Sequence, residues 1–366
     1  MKIGIDCRML GDKFTGIGVY LENLVKKLNE IDSKNQYVLF ENNQNPIKLE
    51  LKKNFKIKTV NCPIYSLKEQ FLFPFYLYKE NCNLVHFPHF NAPLLYLKKN
   101  ILTIHDLTLH MFPGKKYSKL YHKAAYLISF IGNCMKAKKI ICVSQNTLQD
   151  LTSKYSFLKK KSEKILLGSN FPEIQESKQK KNYILYYGNW KSHKNIETLV
   201  KGFDILKEDY NFSGKLLLTG KPSREYTAPL NQIRKSKFKK DIIKLGHVSK
   251  MDLVKYIQEA KLVVIPSYYE GFGLQILESL ANKTNVIASN TSSLPEVGKD
   301  ACLYFDPNDP QELSLRANQI LTDPKKADKL VKKYHKFKLD FSYLKMTKKT
   351  LEIYLSTIKQ SNGLSK

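Results

Sequence analysis

Two glutamates eight residues apart, Glu270 and Glu278, sit in the segment PSYYEGFGLQILES, where Gly271 and Gly273 bracket Phe272. The segment follows an apolar run, Leu262–Pro266, and a helix is expected to begin near Gly273. The amides of Gly273, Leu274 and Gln275 would then have no intrahelical acceptor, and the positive end of the helix dipole adds to them. A diphosphate fits such a position. Glu278 lies about one turn further on the same helix face. A carboxylate there is a poor phosphate ligand but a good acceptor for ribose hydroxyls. Glu270, in the loop, can accept from the hydroxyls of whatever the phosphate carries. Together these residues ask for a nucleotide sugar. The plainer alternative is two surface glutamates, one of them favoured near a helix N-terminus.

Other constellations fall at the ends of apolar runs. Gly188-Asn189-Trp190-Lys191-Ser192-His193-Lys194-Asn195 follows Tyr183–Tyr187, so Lys194 can neutralise a departing diphosphate without a metal. Gly188 and Lys191 belong to the same candidate phosphate-binding segment. His105-Asp106 ends Ile101–Ile104, where an imidazole could bond substrate hydroxyls or shuttle a proton. Gly16-Ile17-Gly18 follows the first apolar run and opens a helical pattern, which suits close approach of backbone to a phosphate or sugar. Position 21 is Leu, so the triplet is not a dinucleotide fingerprint, and a tight strand-to-helix turn is the plainer reading. His86-x-x-His89 has the spacing of a metal pair, but Pro88 makes it a turn, and packing is the better explanation. No metal site is predicted.

The elements that position these residues follow from the pattern of apolar runs. Strands are predicted at Lys2–Asp6, Tyr37–Glu41, Phe55–Val60, Leu84–Phe87, Ile101–Ile104, Ile140–Val143 and Lys164–Leu167. Between them lie helical periods, clearest in Tyr20-Leu21-Leu24-Val25-Leu28 and in Tyr117–Lys136. Asn170–Asn182 is polar and aperiodic and reads as a linker. The alternation then restarts with Tyr183–Tyr187, Lys215–Thr219, Ile242–Leu245, Leu262–Pro266, Asn285–Ala288 and Cys302–Phe305. Continuous apolar strands separated by helices predict α/β architecture: two doubly wound, Rossmann-like domains facing a cleft, with ligand at the strand C-terminal ends. The expected boundaries are 1–170 for an acceptor-binding domain, 171–182 for the linker, 183–340 for a nucleotide-sugar-binding domain, and 341–366 for a last helix.

Composition narrows the classes. The 366 residues are 42% hydrophobic, enough for two cores. No apolar run approaches the ~18–20 residues of a membrane span. The start, Met1-Lys2-Ile3-Gly4-Ile5-Asp6, reads as a first buried strand rather than a signal peptide. Six cysteines without CxxC spacing read as reduced, buried residues of a cytosolic protein. The formal charge of +28 would suit nucleic acid or an anionic surface, yet only four of the basic residues are Arg. The excess therefore reads against nucleic acid, and attraction to an anionic membrane is the better fit. Lys115, Lys116, Lys119 and Lys123 interleave with Tyr117, Leu120 and Tyr121, and Phe71–Tyr78 is bracketed by Lys68 and Lys79.

These motifs together resemble the retaining glycosyltransferases of family 4, which have the GT-B fold. The carriers are Glu270-x7-Glu278, Gly188–Asn195, Gly246-His247-Val248-Ser249 and Ser289–Val297 (SNTSSLPEV). In the first domain, Thr15–Tyr20 (TGIGVY), His86–Pro93 (HFPHFNAP) and Thr103–Leu107 (TIHDL) resemble the subgroup that builds bacterial surface polysaccharides, several of them mannosyltransferases. The resemblance implies that Glu270 holds donor-sugar hydroxyls, Glu278 the ribose and Lys194 the diphosphate, helped by amides of Gly273 and Leu274. Gly16 and Gly18 would admit phosphate and acceptor, and His105 would touch the sugar. The last helix would cross back onto the first domain. The expected function is metal-independent hexosyl transfer, mannose favoured, from a GDP- or UDP-linked sugar to a glycan or lipid-linked acceptor in surface-polysaccharide or lipopolysaccharide synthesis. The nucleotide sugar is a co-substrate, and no other cofactor is implied. The location expected is the cytoplasm, with peripheral contact at the inner face of the membrane. The alternatives are a GT-B epimerase or phosphorylase and a non-catalytic basic binding module. Departures from the family pattern include Lys191 where an Arg precedes the conserved Lys, with Arg224 as a stand-in for the second phosphate cation, and Gln275, Lys283 and Asn285 in place of Pro, Gly and Pro.

Overall fold

The computed structural model describes residues 1–11, 15–44, 46–114, 119–169, 179–222 and 226–359. Lys115, Lys116, Tyr117 and Arg224, and all but the end of the expected linker, lie outside the described residues. The chain divides into two units. The first comprises Met1–Leu107, Lys116–Gly168 and Asp340–Lys366, and the second Thr108–Lys115 with Ser169–Leu339. The short stretch 108–115 thus groups with the second unit, although sequence order places it in the first.

The first unit is built on a seven-stranded parallel sheet: β1 (Lys2–Asp6), β2 (Gln36–Glu41), β3 (Phe55–Thr59), β4 (Leu84–Phe87), β5 (Asn100–Ile104), β6 (Lys139–Cys142) and β7 (Ser162–Lys164). Their order in space is β3-β2-β1-β4-β5-β6-β7. Strands buried on both faces must be apolar throughout, and β4 and β5 are buried at every position. The apolar stripe Tyr20, Leu21, Leu24, Val25 and Leu28 is the core-facing side of the helix Thr15–Ile31. The last strand differs from expectation: it is Ser162–Lys164 rather than Lys164–Leu167. As an edge strand it pairs with β6 alone and need not be apolar, while the buried Ile165 and Leu167 follow it.

The chain returns to this unit at its end. The helix Tyr343–Lys359 packs on the helix Thr15–Ile31 and on β4. A side chain at Gly168 would lie 2.2 Å from the Tyr343 amide nitrogen, so the backbones meet where only glycine fits. Tyr354, wholly buried, reaches the sheet by a 2.7 Å bond between its hydroxyl and His86 Nδ1.

The second unit is a six-stranded parallel sheet: β8 (Lys181–Tyr186), β9 (Lys215–Thr219), β10 (Ile242–Gly246), β11 (Ala260–Ile265), β12 (Asn285–Ser289) and β13 (Leu303–Phe305). The order is β10-β9-β8-β11-β12-β13, the same reversal about a central first strand as in the first unit. Helix starts follow the sequence signals: Ser249 caps Lys250–Glu259 by accepting from the Asp252 amide, and Asp309 caps Pro310–Thr322 by accepting from Glu312. Trp190, Phe203, Leu206 and Phe305 anchor the core. In a doubly wound sheet the crevice for a ligand opens where the strand order reverses, at the carboxyl ends. Here that point lies between β8 and β11.

Candidate functional site

The loops leaving β8 and β11 carry Lys194 and Glu270, and the strand order makes those loops neighbours. Lys194 Nζ donates to both carboxylate oxygens of Glu270, at 2.6 and 2.7 Å. Both side chains are nearly closed off from solvent, at 13% and 12% exposed. In such a setting the attraction is screened far less than at a surface, and removing either partner strands a charge.

Each member of the pair is held from behind. Lys194 ends a short 3-10 turn, Ser192–Lys194, and Asn195 follows in the left-handed conformation at φ 53°. The Asn195 side-chain amide donates to the carbonyls of Pro266 (3.0 Å) and Pro307 (2.7 Å), tying this turn to the end of β11. The Tyr268 amide donates to the His193 carbonyl at 2.8 Å. Glu270 accepts from Ser267 Oγ at 2.7 Å, its own amide donates to Ser292 Oγ at 2.9 Å, and its carbonyl accepts from Ser293 at 2.8 Å. The serines of the loop after β12 thus set the Glu270 backbone. In the sequence that loop stands out only as part of a motif, because a serine pair carries no charge or periodic signal of its own.

The helix expected near Gly273 is Leu274–Ala281, capped by Gly273 at φ 97°. A side chain on Gly273 would strike Leu294 Cδ2 at 2.8 Å, so glycine is required both by conformation and by space. No side-chain cap satisfies the first amides of this helix, which leaves its N-terminus suited to an anion. Phe272 is buried and serves packing, while Gly271 and Leu274 are half-buried beside the helix start. Gln275 has a use that proline would not: its side-chain amide donates to the Tyr187 carbonyl, and the Tyr187 hydroxyl donates to the Gln275 carbonyl at 2.8 Å. Glu278 faces Tyr187, and burial pushes its carboxyl up to about 7, against the pull of the Tyr187 hydroxyl and of Lys250.

Gly188 is half-buried with φ 147°, and its carbonyl oxygen lies where a side chain on Gly220 would be, 1.9 Å away. The indole of Trp190 donates to the Thr219 carbonyl at 2.8 Å, closing the same contact. Gly220, at φ 85°, was not apparent from sequence, since a single glycine at a strand end has many uses. Lys191 is exposed at the rim of this segment, and its carbonyl accepts from the Lys194 amide.

The remaining candidates belong to the first unit. Gly16 is exposed, and a side chain there would touch nothing. Gly18 is different: its Cβ position lies 2.4 Å from the Gly11 carbonyl oxygen, so its missing side chain is used by the protein's own backbone. Gly11 also lines a cavity of about 300 Å³ with Leu10, Glu22, Gln44 and Lys48. His105 follows β5, and its Nε2 donates to the Pro88 carbonyl at 3.0 Å. Burial holds its imidazole down at about 4, against the pull of Asp106, so the ring is neutral near pH 7 and carries its proton on the committed nitrogen. The Nε2 proton is thus held by a backbone carbonyl of the protein itself. His86 bonds Tyr354 through Nδ1 and Thr103 through Nε2 (2.8 Å), so both ring nitrogens are taken by protein hydroxyls. Among the described residues no group of His, Cys, Asp or Glu could hold a metal ion, and all six cysteines are buried thiols. No helix among them is long and apolar enough to cross a membrane.

Residues 169–337, nearly the whole second unit, match the sequence model of the family described as "Glycosyl transferases group 1". That stretch carries the sequence pattern of the group 1 glycosyltransferases. Lys194, Glu270 and Glu278 all fall inside the matched stretch. Among curated relatives, O-antigen chain mannosyltransferase B of Escherichia coli is 28% identical over 65% of this chain and 65% of its own length. O-antigen chain mannosyltransferase RfbU of Salmonella typhimurium is also 28% identical, over 63% of this chain and 62% of its own. The match therefore spans just under two thirds of each relative. A sucrose-phosphate synthase structure from Thermosynechococcus elongatus superposes with a TM-score of 0.77, covering 98% of this chain and 100% of that one at 18% identity. That similarity establishes the fold, two parallel α/β units of GT-B type.

Proposed function

We propose that this glycosyltransferase moves a hexose, with mannose favoured, from a nucleoside-diphosphate sugar to a hydroxyl of a glycan or lipid-linked acceptor, with retention of configuration. The observation that carries the reading is the buried Lys194–Glu270 pair beside the uncapped start of the helix Leu274–Ala281. One part of it binds the leaving group and the other part reads the sugar. Lys194 and the first helix amides neutralise the diphosphate, which supplies the electrostatic stabilisation from the protein's own charges. Glu270 accepts from sugar hydroxyls and Glu278, when ionised, from the ribose. The bond from the anomeric carbon to the phosphate oxygen breaks and one to the acceptor oxygen forms on the same face. The acceptor's proton passes to the departing phosphate, so no protein carboxylate is needed as nucleophile, unlike in retaining glycosidases.

In the first unit, Gly16, His105 and the cavity at Gly11 are the acceptor-side candidates of this proposal. The donor is GDP- or UDP-linked. Mannose is favoured because the two O-antigen relatives bear that name. The test is turnover of a donor panel with and without an oligosaccharide acceptor, followed by assignment of the product's anomeric configuration by NMR. Acceptor-dependent release of nucleoside diphosphate with a retained anomer supports the proposal. Donor conversion that ignores the acceptor would instead assign an epimerase.

A further inference from the structure

The helix Leu67–Glu80 is turned so that Phe73, Leu77 and its two glutamates are buried, and Leu67, Phe71 and Phe75 stand on the opposite side, 61–78% exposed. Its position is fixed by charge. Arg8, wholly buried, bonds Asp6 and Glu69 at 2.7 Å each and lies 3.8 Å over the Phe73 ring. The helix Leu120–Lys136 buries Tyr126, Phe130, Asn133 and Cys134 and presents Tyr121, Ile128 and Met135, seven residues apart, to solvent.

The loop Pro93–Leu97, between β4 and β5, is hydrogen-bonded to both helices. Its Leu94 amide donates to Gln70 and the Tyr78 hydroxyl bonds the Leu95 carbonyl and the Leu97 amide. From the other side Lys136 Nζ donates to the carbonyls of Pro93, Leu94 and Tyr96. Leu95 and Leu97, both exposed, therefore lie between the two apolar stripes. Single exposed apolar residues need no explanation, but a run of large ones over two helices and a loop does.

The charge on this face has one sign. Lys68, Lys79, Lys98, Lys119 and Lys123 are exposed. The acidic residues of the three segments are Glu69 and Glu80, both buried and both paired, with Arg8 and with Lys2 and Lys56. We propose that this face of the first unit docks on an anionic lipid surface, with Phe71, Phe75, Leu97 and Ile128 entering the interface and the lysines meeting the headgroups. Outward ridges fringed by lysine suit a fluid bilayer, which takes up scattered apolar side chains and pairs with flexible point charges. The inference stands apart from the transferase reading, since none of these residues lies in the second unit.

The experiment is flotation of the full chain with mixed phosphatidylglycerol–phosphatidylcholine vesicles and with pure phosphatidylcholine vesicles, at low and high salt. The double variant Phe71→Ser with Phe75→Ser is run beside it, with circular dichroism as the fold check. The expected result is binding to the anionic vesicles alone, weakened by salt, and a loss of about tenfold or more in the variant, as two buried aromatic rings are removed from the interface. Equal binding to neutral vesicles, or equal binding by the variant, would overturn the proposal. So would salt-insensitive self-association that the variant abolishes without any vesicle binding, which would assign the face to a second copy.

Discussion

Lys194 and Glu270 neutralise one another before any ligand arrives, and that sets their response to substitution. In the proposed reading, a nucleoside diphosphate entering the site competes with Glu270 for the Lys194 ammonium. Replacing Glu270 by Gln keeps the shape and frees the lysine, so binding of the nucleoside diphosphate alone is expected to hold or tighten while sugar transfer is lost. Replacing Lys194 by Met strands a buried carboxylate and is expected to lose both. Calorimetric titration with GDP and UDP, set beside turnover, checks the split, and equal loss of nucleotide binding in both variants contradicts it. Glu278 adds a pH dependence. Burial pushes its carboxyl up to about 7, and in the proposed reading the ionised form is the one that accepts from the ribose hydroxyls. Donor affinity should therefore rise with pH up to that value, falling about tenfold per unit below it, and Glu278→Gln should flatten the profile. At this scale the charged residues were legible in the sequence, because a carboxylate or ammonium at a strand end has few uses. Ser267, Ser292 and Ser293 were not, because their work is hydrogen bonding to a backbone whose path sequence does not give.

The apolar runs translate into elements because a strand buried on both faces has no freedom to be polar, as in Leu84–Phe87. Where burial fails, so does the reading: the edge strand Ser162–Lys164 is polar and its apolar neighbours mislead. Glycines divide in the same way. Gly16 and Gly18 look alike in sequence, yet only Gly18 meets backbone, at the Gly11 carbonyl. Gly18→Ala is expected to destabilise the chain by about 1–3 kcal/mol, an overpacking cost, while Gly16→Ala is neutral or slightly stabilising. Thermal denaturation of the two variants separates them. His86 gives the first unit a built-in acid sensitivity. Burial holds it down at about 3, with His105 adding a smaller push in the same direction, while in the unfolded chain it titrates near 6.5. Its stabilising contribution is complete above that value and declines by about 1.4 kcal/mol per pH unit below it, as the unfolded state takes the proton first. Urea denaturation across that range should show the loss, and His86→Gln should reduce it.

On the scale of the whole molecule, the two units share one plan and differ in what they carry. Both reverse strand order about their first strand, and the plan could be read from alternation alone. The return of Tyr343–Lys359 to the first unit is what the family resemblance implies, but its anchor, the Tyr354–His86 bond, joins residues too far apart in the chain for any local signal. The second unit holds the family match and the charged pair, whereas the first offers a cavity, a neutral histidine and an apolar, lysine-fringed face. We therefore propose donor recognition for the second unit. The most direct measurement is a thermal shift across GDP-, UDP- and ADP-sugars with chelator present, on the natural chain and on Lys194→Met. A ligand that binds only the folded state must raise its melting temperature. The expected result is a shift selective for one nucleotide, undiminished by chelator and abolished in Lys194→Met. A shift that survives unchanged in Lys194→Met, or none with any donor, would contradict the assignment of the donor site.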